Sequence, residues 1–262
     1  MSEPLVRPRL EDGVAVLELA APPANCYSYE MMRQLDAAVL EARMDASVHV
    51  IVLRGAGDRF FCAGADIRML ESVTPEFKYY FCLHANETLL RFEQTPKLVI
   101  AALNGHCVGG GLEVALACDL RLARRGAGKI GLPEVTLGVL PGTGGTQRLA
   151  RLVGRARALE MMATGATMSF EEAEPLGLVT RVLDAADFDA EVVRYARQFC
   201  PPNKAAFAVG RIKRAVVTGA DLPLAEALAL ERELQQQLFL SSDAREGLAA
   251  YVEKRVPRFE GR

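Results

Sequence analysis

The sequence predicts a mixed α/β core followed by a helical tail, and three observations carry that expectation. Short apolar runs, several ending in glycine, alternate with helix-spaced segments over residues 1–190. Past about residue 145 the text turns mostly helical. Two segments, IVLRGAGDRFFCAGADI and VIAALNGHCVGGGLEVA, also share one order: apolar strand, glycine turn, glycine-containing loop, start of a helix. Each has a carboxylate just past the loop, Asp66 and Glu113, and the echo points to repeated ββα-like units.

The elements follow in order. PLVRPRL and VAVLELA flank Glu11-Asp12-Gly13, a turn signal between two short apolar runs, and read as a hairpin. Residues 30–43 place Met31, Leu35, Val39 and Ala42 at helical spacing. His49–Gly55 is a buried strand. Thr74-Pro75 starts a helix over 75–93, a cap followed by proline in the first turn. Strands are expected at Lys97–Leu103 and from Asp119. Helices are expected over 145–163, 169–175, 188–199, 202–217 and 221–255, with breaks at Gly219 and Ser241-Ser242. No Gly-, Ser- or Pro-rich linker precedes the tail. Residues 191–262 are therefore expected to pack on the core or on another subunit.

Composition narrows the function classes. Of 262 residues, 50% are hydrophobic and 24% charged, enough apolar surface to offset chain entropy and exclude a disordered chain. The net charge of −2 lacks the basic excess of a nucleic-acid binder, so nucleic acid is not expected as the main partner. No apolar run reaches transmembrane length and the N-terminus lacks a signal-peptide core. Cysteines 26, 62, 82, 107, 118 and 200 show no C-x-x-C spacing and read as reduced thiols of a cytoplasmic protein. Histidines 49, 84 and 106 have no ligand spacing, so no metal site is expected.

Several motifs fail on context. Residues 126–131 match G-x-G-x-x-G, but Leu132-Pro133 follows where a dinucleotide site needs a helix. There is no P-loop, no G-x-S-x-G elbow and no H-E-x-x-H.

Two lone glutamates remain. Glu113 is the only ionisable carboxylate in CVGGGLEVALAC, and Glu134 is the only charged residue in 130–147. A carboxylate in apolar text either protonates or finds partners. A raised pKa is what a general acid needs near neutral pH. The ordinary alternative is that each caps a backbone amide or pairs with an arginine such as Arg148. Gly109-Gly110-Gly111 and Cys62-Ala63-Gly64-Ala65-Asp66 are loops without bulky Cβ groups, where a ligand can approach the backbone. Two such loops, each presenting one N–H, form an oxyanion hole; either loop alone is a plain strand-to-helix turn. Asp66 reads foremost as a helix N-terminal carboxylate, Cys62 and Cys107 as packing residues, and His106 as a backbone or solvent hydrogen bonder.

FCAGADI (61–67), NGHCVGGGLEVALACDLRLA (104–123), GLPEVTLGVLPGTGGTQRL (131–149), ATGATMSFEEAEPLGLVTRV (163–182) and GLAAYVEKRVPRF (247–259) together resemble the enoyl-CoA hydratase/isomerase, or crotonase, family. The resemblance runs along essentially the whole chain. It departs at Cys26-Tyr27-Ser28, where the family commonly has Leu-Asn.

The resemblance implies a spiral of ββα units with a C-terminal trimerisation region, usually assembled as a dimer of trimers. It implies an acyl-CoA substrate, coenzyme A entering as part of that substrate, with no prosthetic group. The thioester oxygen would lie between Ala65 N–H and Gly110 N–H. Ala63, Ala65, Asp66, Ile67, Arg68 and Gly110 would line the CoA thioester. Tyr251 and Lys254 would complete the adenine pocket of a neighbouring subunit. Keeping both Glu113 and Glu134 favours hydration and dehydration of a 2-enoyl-CoA, with Glu113 deprotonating water and Glu134 protonating Cα. Other readings are a Δ3,Δ2-enoyl-CoA isomerase of the same fold and a non-catalytic RNA-binding or assembly subunit. The acyl group could be short and straight, or 3-methylglutaconyl, whose distal carboxylate would need a cation such as Arg68, Lys78 or Arg91.

Overall fold

The computed structural model describes residues 3–184 and 186–261. Strands β1 (Val6–Glu11) and β2 (Val14–Leu19) form the expected hairpin. Asp12 and Gly13 both take positive φ, 47° and 83°, the geometry a two-residue Asp-Gly hairpin turn demands. Helix α1 (Tyr29–Met44) follows, its start fixed by the Ser28 side chain accepting from Met31 N–H. Next come β3 (Val50–Gly55), β4 (Phe60–Cys62), α2 (Ile67–Ser72) and α3 (Pro75–Gln94), the last capped by Thr74 as expected. Then β5 (Leu98–Leu103), β6 (His106–Val108), α4 (Gly110–Leu116), β7 (Leu120–Arg124) and β8 (Lys129–Gly131) lead to a 3-10 turn at Glu134–Leu137.

The remaining elements are α5 (Gly145–Val153), α6 (Arg155–Thr164), β9 (Thr167–Ser169), α7 (Phe170–Ala173), β10 (Arg181–Leu183), α8 (Phe188–Arg197), α9 (Ala206–Gly219), α10 (Leu224–Phe239) and α11 (Ser242–Glu253). Two expectations need correction. The helix expected over 145–163 is two helices, because Gly154 takes φ 85° and ψ 153°, which no helix accommodates. The text past residue 145 also contains two strands, β9 and β10, each three residues long and too short for a period to register. The 126–131 glycine pattern leads into and through β8, a strand, with no helix directly behind it.

Consecutive strands part company. β3, β5 and β7 run parallel in a six-stranded sheet of order β1-β2-β3-β5-β7-β10. β4, β6 and β8 run parallel in a second sheet of order β4-β6-β8-β9. Each turn of the chain thus gives one strand to each sheet, and the unit occurs three times, one more than the sequence echo showed.

Both faces of the larger sheet are covered, as parallel sheets require. Leu17, Leu19 and Leu53 face α1, α3 and the second sheet, with Phe61, Phe81 and Phe92 in the same cluster. The alternate residues Val14, Val16, Val50 and Val52 face Phe188, Val192 and Val193 of α8. Helix α9 lies on the core through Gly210, whose missing Cβ lets it approach the Pro96 carbonyl. It is pinned there by Lys213, whose Nζ sits 2.8 Å from Asp119 and donates to the carbonyls of Phe92 (2.6 Å) and Lys97 (3.0 Å). Among the described residues no helix is long and apolar enough to cross a membrane.

Burial pushes the Asp119 carboxyl up and the Lys213 ammonium down despite their attraction. The pair therefore fixes where α9 docks more than it adds net stability. Asp119→Ala leaves a buried ammonium unpaired and is expected to destabilise the fold by about 3–5 kcal/mol in denaturant titrations. The double change Asp119→Leu with Lys213→Met is expected to recover most of that loss, since it removes the unpaired ammonium together with its partner.

Candidate active site

Parallel pairing of β4, β6 and β8 puts their carboxyl ends on one edge of the smaller sheet. The segments that leave that edge carry Ala65, Gly110 and Glu134, so residues far apart in sequence meet. This is where open parallel sheets place ligands.

The first two segments touch. Gly64 takes φ 101°, and a Cβ there would lie 3.0 Å from Gly110 N. Gly109 takes φ 57° and ψ −137°, a conformation that favours glycine. Its N–H donates to the Gly131 carbonyl (2.9 Å), which ties this turn to the end of β8. Gly110 opens α4, so its N–H has no partner within the helix. Among the described residues neither Ala65 N–H nor Gly110 N–H has an acceptor. Two unused backbone donors on touching loops are the raw material of an oxyanion hole.

Glu113 lies on α4 one turn beyond the Gly110 N–H and is 2% exposed. Its Oε1 accepts from the N–H groups of Thr143 and Gly145, each at 2.7 Å, and its Oε2 accepts from the Thr143 hydroxyl. A carboxylate has about four acceptor directions, so one remains for a further donor. The backbone-amide role weighed for this glutamate is therefore real. Arg148 is not its partner: that guanidinium pairs with Glu93 (2.7 Å) and donates to the Thr143 carbonyl (3.2 Å), bracing the same loop.

Glu134 has the opposite surroundings. It stands at the start of the 3-10 turn, and its buried Oε2 has no hydrogen-bond partner. A Cβ on Gly109 would lie 3.2 Å from its Oε1, so this carboxyl rests against the turn that opens α4, the helix that carries Glu113. Burial, reinforced by the nearby Glu113 charge, raises the Glu134 carboxyl to about 7.

The other expected residues divide. Asp66 caps α2, accepting from the N–H groups of Arg68 (3.0 Å) and Met69 (3.4 Å). Ala63 donates its N–H to the Ala24 carbonyl (3.0 Å), while Ile67 and Arg68 lie on the exposed rim. Cys62 and Cys107 are fully buried neighbours on β4 and β6, and burial pushes the Cys62 thiol up to about 12, as suits packing residues. His106 Nδ1 accepts from Lys129 N–H (3.0 Å). Arg91 pairs with Asp36 of α1 (2.5 Å), and Lys78 lies over the Phe81 ring, 5.4 Å from its centroid. Tyr251 and Lys254 belong to α11 and its C-cap; Tyr251 is 86% exposed on this chain.

Sequence reasoning missed Thr143, Gly145 and Tyr27. The Gly142-Thr143-Gly144-Gly145 run was the available signal for the first two: a glycine-rich turn just behind a lone glutamate is able to offer backbone donors. For Tyr27 the one signal was its place in the Cys26-Tyr27-Ser28 departure from the family pattern, which assigned it no contact. Its N–H donates to the Gly64 carbonyl (2.9 Å), and its carbonyl accepts from Asp66 N–H (3.0 Å). A cavity of about 740 Å3 between α9 and the larger sheet, lined by Lys213, Asp119 and Val216 among others, does not include the two glutamates or the two free donors.

Comparison with known proteins identifies the family. The family model described as enoyl-CoA hydratase/isomerase matches residues 9–262. A Bacillus subtilis protein named "Probable enoyl-CoA hydratase" is 39% identical over 255 residues, covering 96% of this chain and 97% of the relative. The short-chain-enoyl-CoA hydratase of Clostridium acetobutylicum is 35% identical, covering 94% and 93%. A crystal structure of an enoyl-CoA hydratase from Geobacillus kaustophilus HTA426 superposes with a TM-score of 0.97 at 47% identity, covering 100% of this chain and 98% of that one. A whole-chain family match, relatives well above 30% identity, and a spiral that deals strands to two sheets together place the chain: it belongs to the enoyl-CoA hydratase/isomerase family.

Proposed function

We propose that the protein hydrates short straight-chain 2-enoyl-CoA thioesters and runs the reverse dehydration. The observation that carries this is Glu134: a carboxyl held near pH 7, with one buried oxygen unpartnered, beside a second carboxylate. An acid that gives up a proton at neutral pH beside a base that takes one is what addition of water across a double bond needs.

The thioester carbonyl lies between Ala65 N–H and Gly110 N–H. Glu113 uses its remaining acceptor direction to hold water and takes its proton as the oxygen bonds to Cβ. The π electrons shift toward Cα and the thioester oxygen, where each hole donor stabilises the enolate by roughly 3 kcal/mol. Glu134 then delivers its proton to Cα. One proton sits on the glutamate pair before and after, so hydration and dehydration need the same singly protonated pair. The short-chain relative supports the acyl preference. The ion pair of Arg91 with Asp36 also occupies one of the three cations that a distal carboxylate would need.

Tyr251, Val252 and Val256, all at least 79% exposed, give α11 and the chain behind it an apolar surface suited to a neighbouring copy. We place the adenine end of the substrate there, against Tyr251 and Lys254 of that copy in a trimer or a dimer of trimers. Lys254→Ala is expected to raise KM for the CoA ester several-fold while kcat and KM for a pantetheine thioester lacking the nucleotide stay unchanged.

The direct test is loss of the conjugated enoyl-thioester absorbance, with crotonyl-CoA and 3-methylglutaconyl-CoA side by side. Rapid loss with crotonyl-CoA supports the reading, and faster loss with the branched substrate moves the acyl assignment. No loss with either, together with interconversion of Δ3- and Δ2-enoyl-CoA by product analysis, assigns an isomerase instead. Glu113→Gln and Glu134→Gln should each lower kcat by roughly 10²–10⁴-fold with little change in product-CoA binding.

The sign of the pH dependence follows from Glu134. Above about 7 its carboxyl loses the proton that the singly protonated pair requires. kcat/KM should therefore fall on the alkaline side in both directions, with the same midpoint near 7. A profile flat from pH 6 to 9 would remove Glu134 as the acid.

A further inference from the structure

We propose that Tyr27 is a positioning residue that locks the Glu113 carboxylate to the geometry of the oxyanion hole, through Thr143. The proposal rests on the hydration reading above and extends it to a residue outside the glutamate pair. Three parts of Tyr27 meet three parts of the site. Its main chain forms an isolated parallel bridge with Ala65, bonding to the residues on either side of it, and so helps to set the direction of the Ala65 N–H. Its ring lies where a side chain on residue 110 would go: a Cβ there would come within 2.7 Å of Cε1 and Cζ and overlap the hydroxyl. The ring is backed by Phe81, 6.0 Å between centroids. Its buried hydroxyl lies 3.2 Å from Thr143 Oγ1.

The direction of that hydrogen bond follows from the donors available. Ionised Glu113 only accepts, so Thr143 gives its single hydroxyl proton to Oε2. Thr143 Oγ1 is then an acceptor, and Tyr27 is the donor. The chain runs from the tyrosine hydroxyl through the threonine hydroxyl to the carboxylate. Backbone N–H groups fix Oε1, whereas Oε2 is held by the Thr143 side chain. The terminal torsion of a glutamate is broad, so this hydroxyl chain decides the plane of the carboxylate and where its free acceptor direction points. Errors of about 1 Å in such placement can cost roughly 10²-fold in rate.

Tyr27→Phe separates the hydroxyl from the ring. With crotonyl-CoA, it is expected to lower kcat about tenfold, the weight of one hydrogen bond feeding a charged group, with KM within about twofold and the melting temperature unchanged. Thr143→Val should lower kcat at least as far, and adding Tyr27→Phe to it should cost nothing more, because the chain is already broken. Thr143→Ser should regain most of the Thr143→Val loss. Tyr27→Phe at wild-type kcat overturns the proposal, as do losses that multiply in the double variant, or a fall in kcat tracked by KM and melting temperature. If Tyr27→Phe does not fold, the threonine variants decide: Thr143→Val at wild-type kcat is the overturning result. A wild-type protein that hydrates no enoyl-CoA counts against the hydration reading instead, so the two failures are distinct.

Discussion

At residues 109–111 the backbone of one ββα unit passes so close to its neighbours that positions 110 and 111 have no room for a side chain, and each of the three glycines faces a different piece of the site. Gly109 turns with positive φ beside the Glu134 carboxyl. Gly110 lies against the Tyr27 ring. Gly111 presses on the Cys62 carbonyl at the end of β4. A Cβ at Gly110 or Gly111 would push apart elements that meet here, and a side chain at Gly109 would be strained by its positive φ. The close approach also leaves Gly110 N–H unsatisfied at a helix start, a cost the fold accepts where a ligand oxygen is to be bound. The spiral serves that contact by bringing the carboxyl ends of β4, β6 and β8 side by side.

The two carboxyls show how one fold gives similar groups different work. Glu113 receives three donors from a single loop. Glu134 receives none on its buried oxygen and feels its neighbour's charge. Burial with donors holds a carboxylate in place, and burial without them favours the protonated form. The same balance operates far from the site in Lys213 and Asp119, where attraction between the partners fails to cancel the loss of solvent and the pair acts as a docking pin.

What could be read in the sequence was what strong local signals write. Thr74-Pro75, Asp12-Gly13 and the Ser241-Ser242 break marked their elements because a cap, turn or break acts on its immediate neighbours. Glu113 and Glu134 stood out because a lone charge in apolar text has few explanations. The smaller sheet was not legible, since β4, β6, β8 and β9 have three residues each and derive their identity from pairing partners distant in sequence, such as His106 for Phe60 and Ser169 for Lys129. The break at Gly154 was missed because a single glycine is compatible with a helix until its backbone angles are known. Tyr27 stood out only as part of a departure from the family pattern, and no sequence signal assigned it a role. Its importance lies in contacts to Gly64, Gly110 and Thr143, none of them near it in sequence, whereas the family blocks that drew attention were continuous runs.

The order of units along the spiral has a consequence for a chain still being made. Ala65 belongs to the first unit and Gly110 to the second, Glu134 follows the third, and the donors that hold Glu113 lie at Thr143 and Gly145 beyond it. The groups that would polarise a thioester thus leave the ribosome before the groups that would move its protons, and domains fold from the N-terminus as they emerge. No fragment ending before residue 145 contains the whole site.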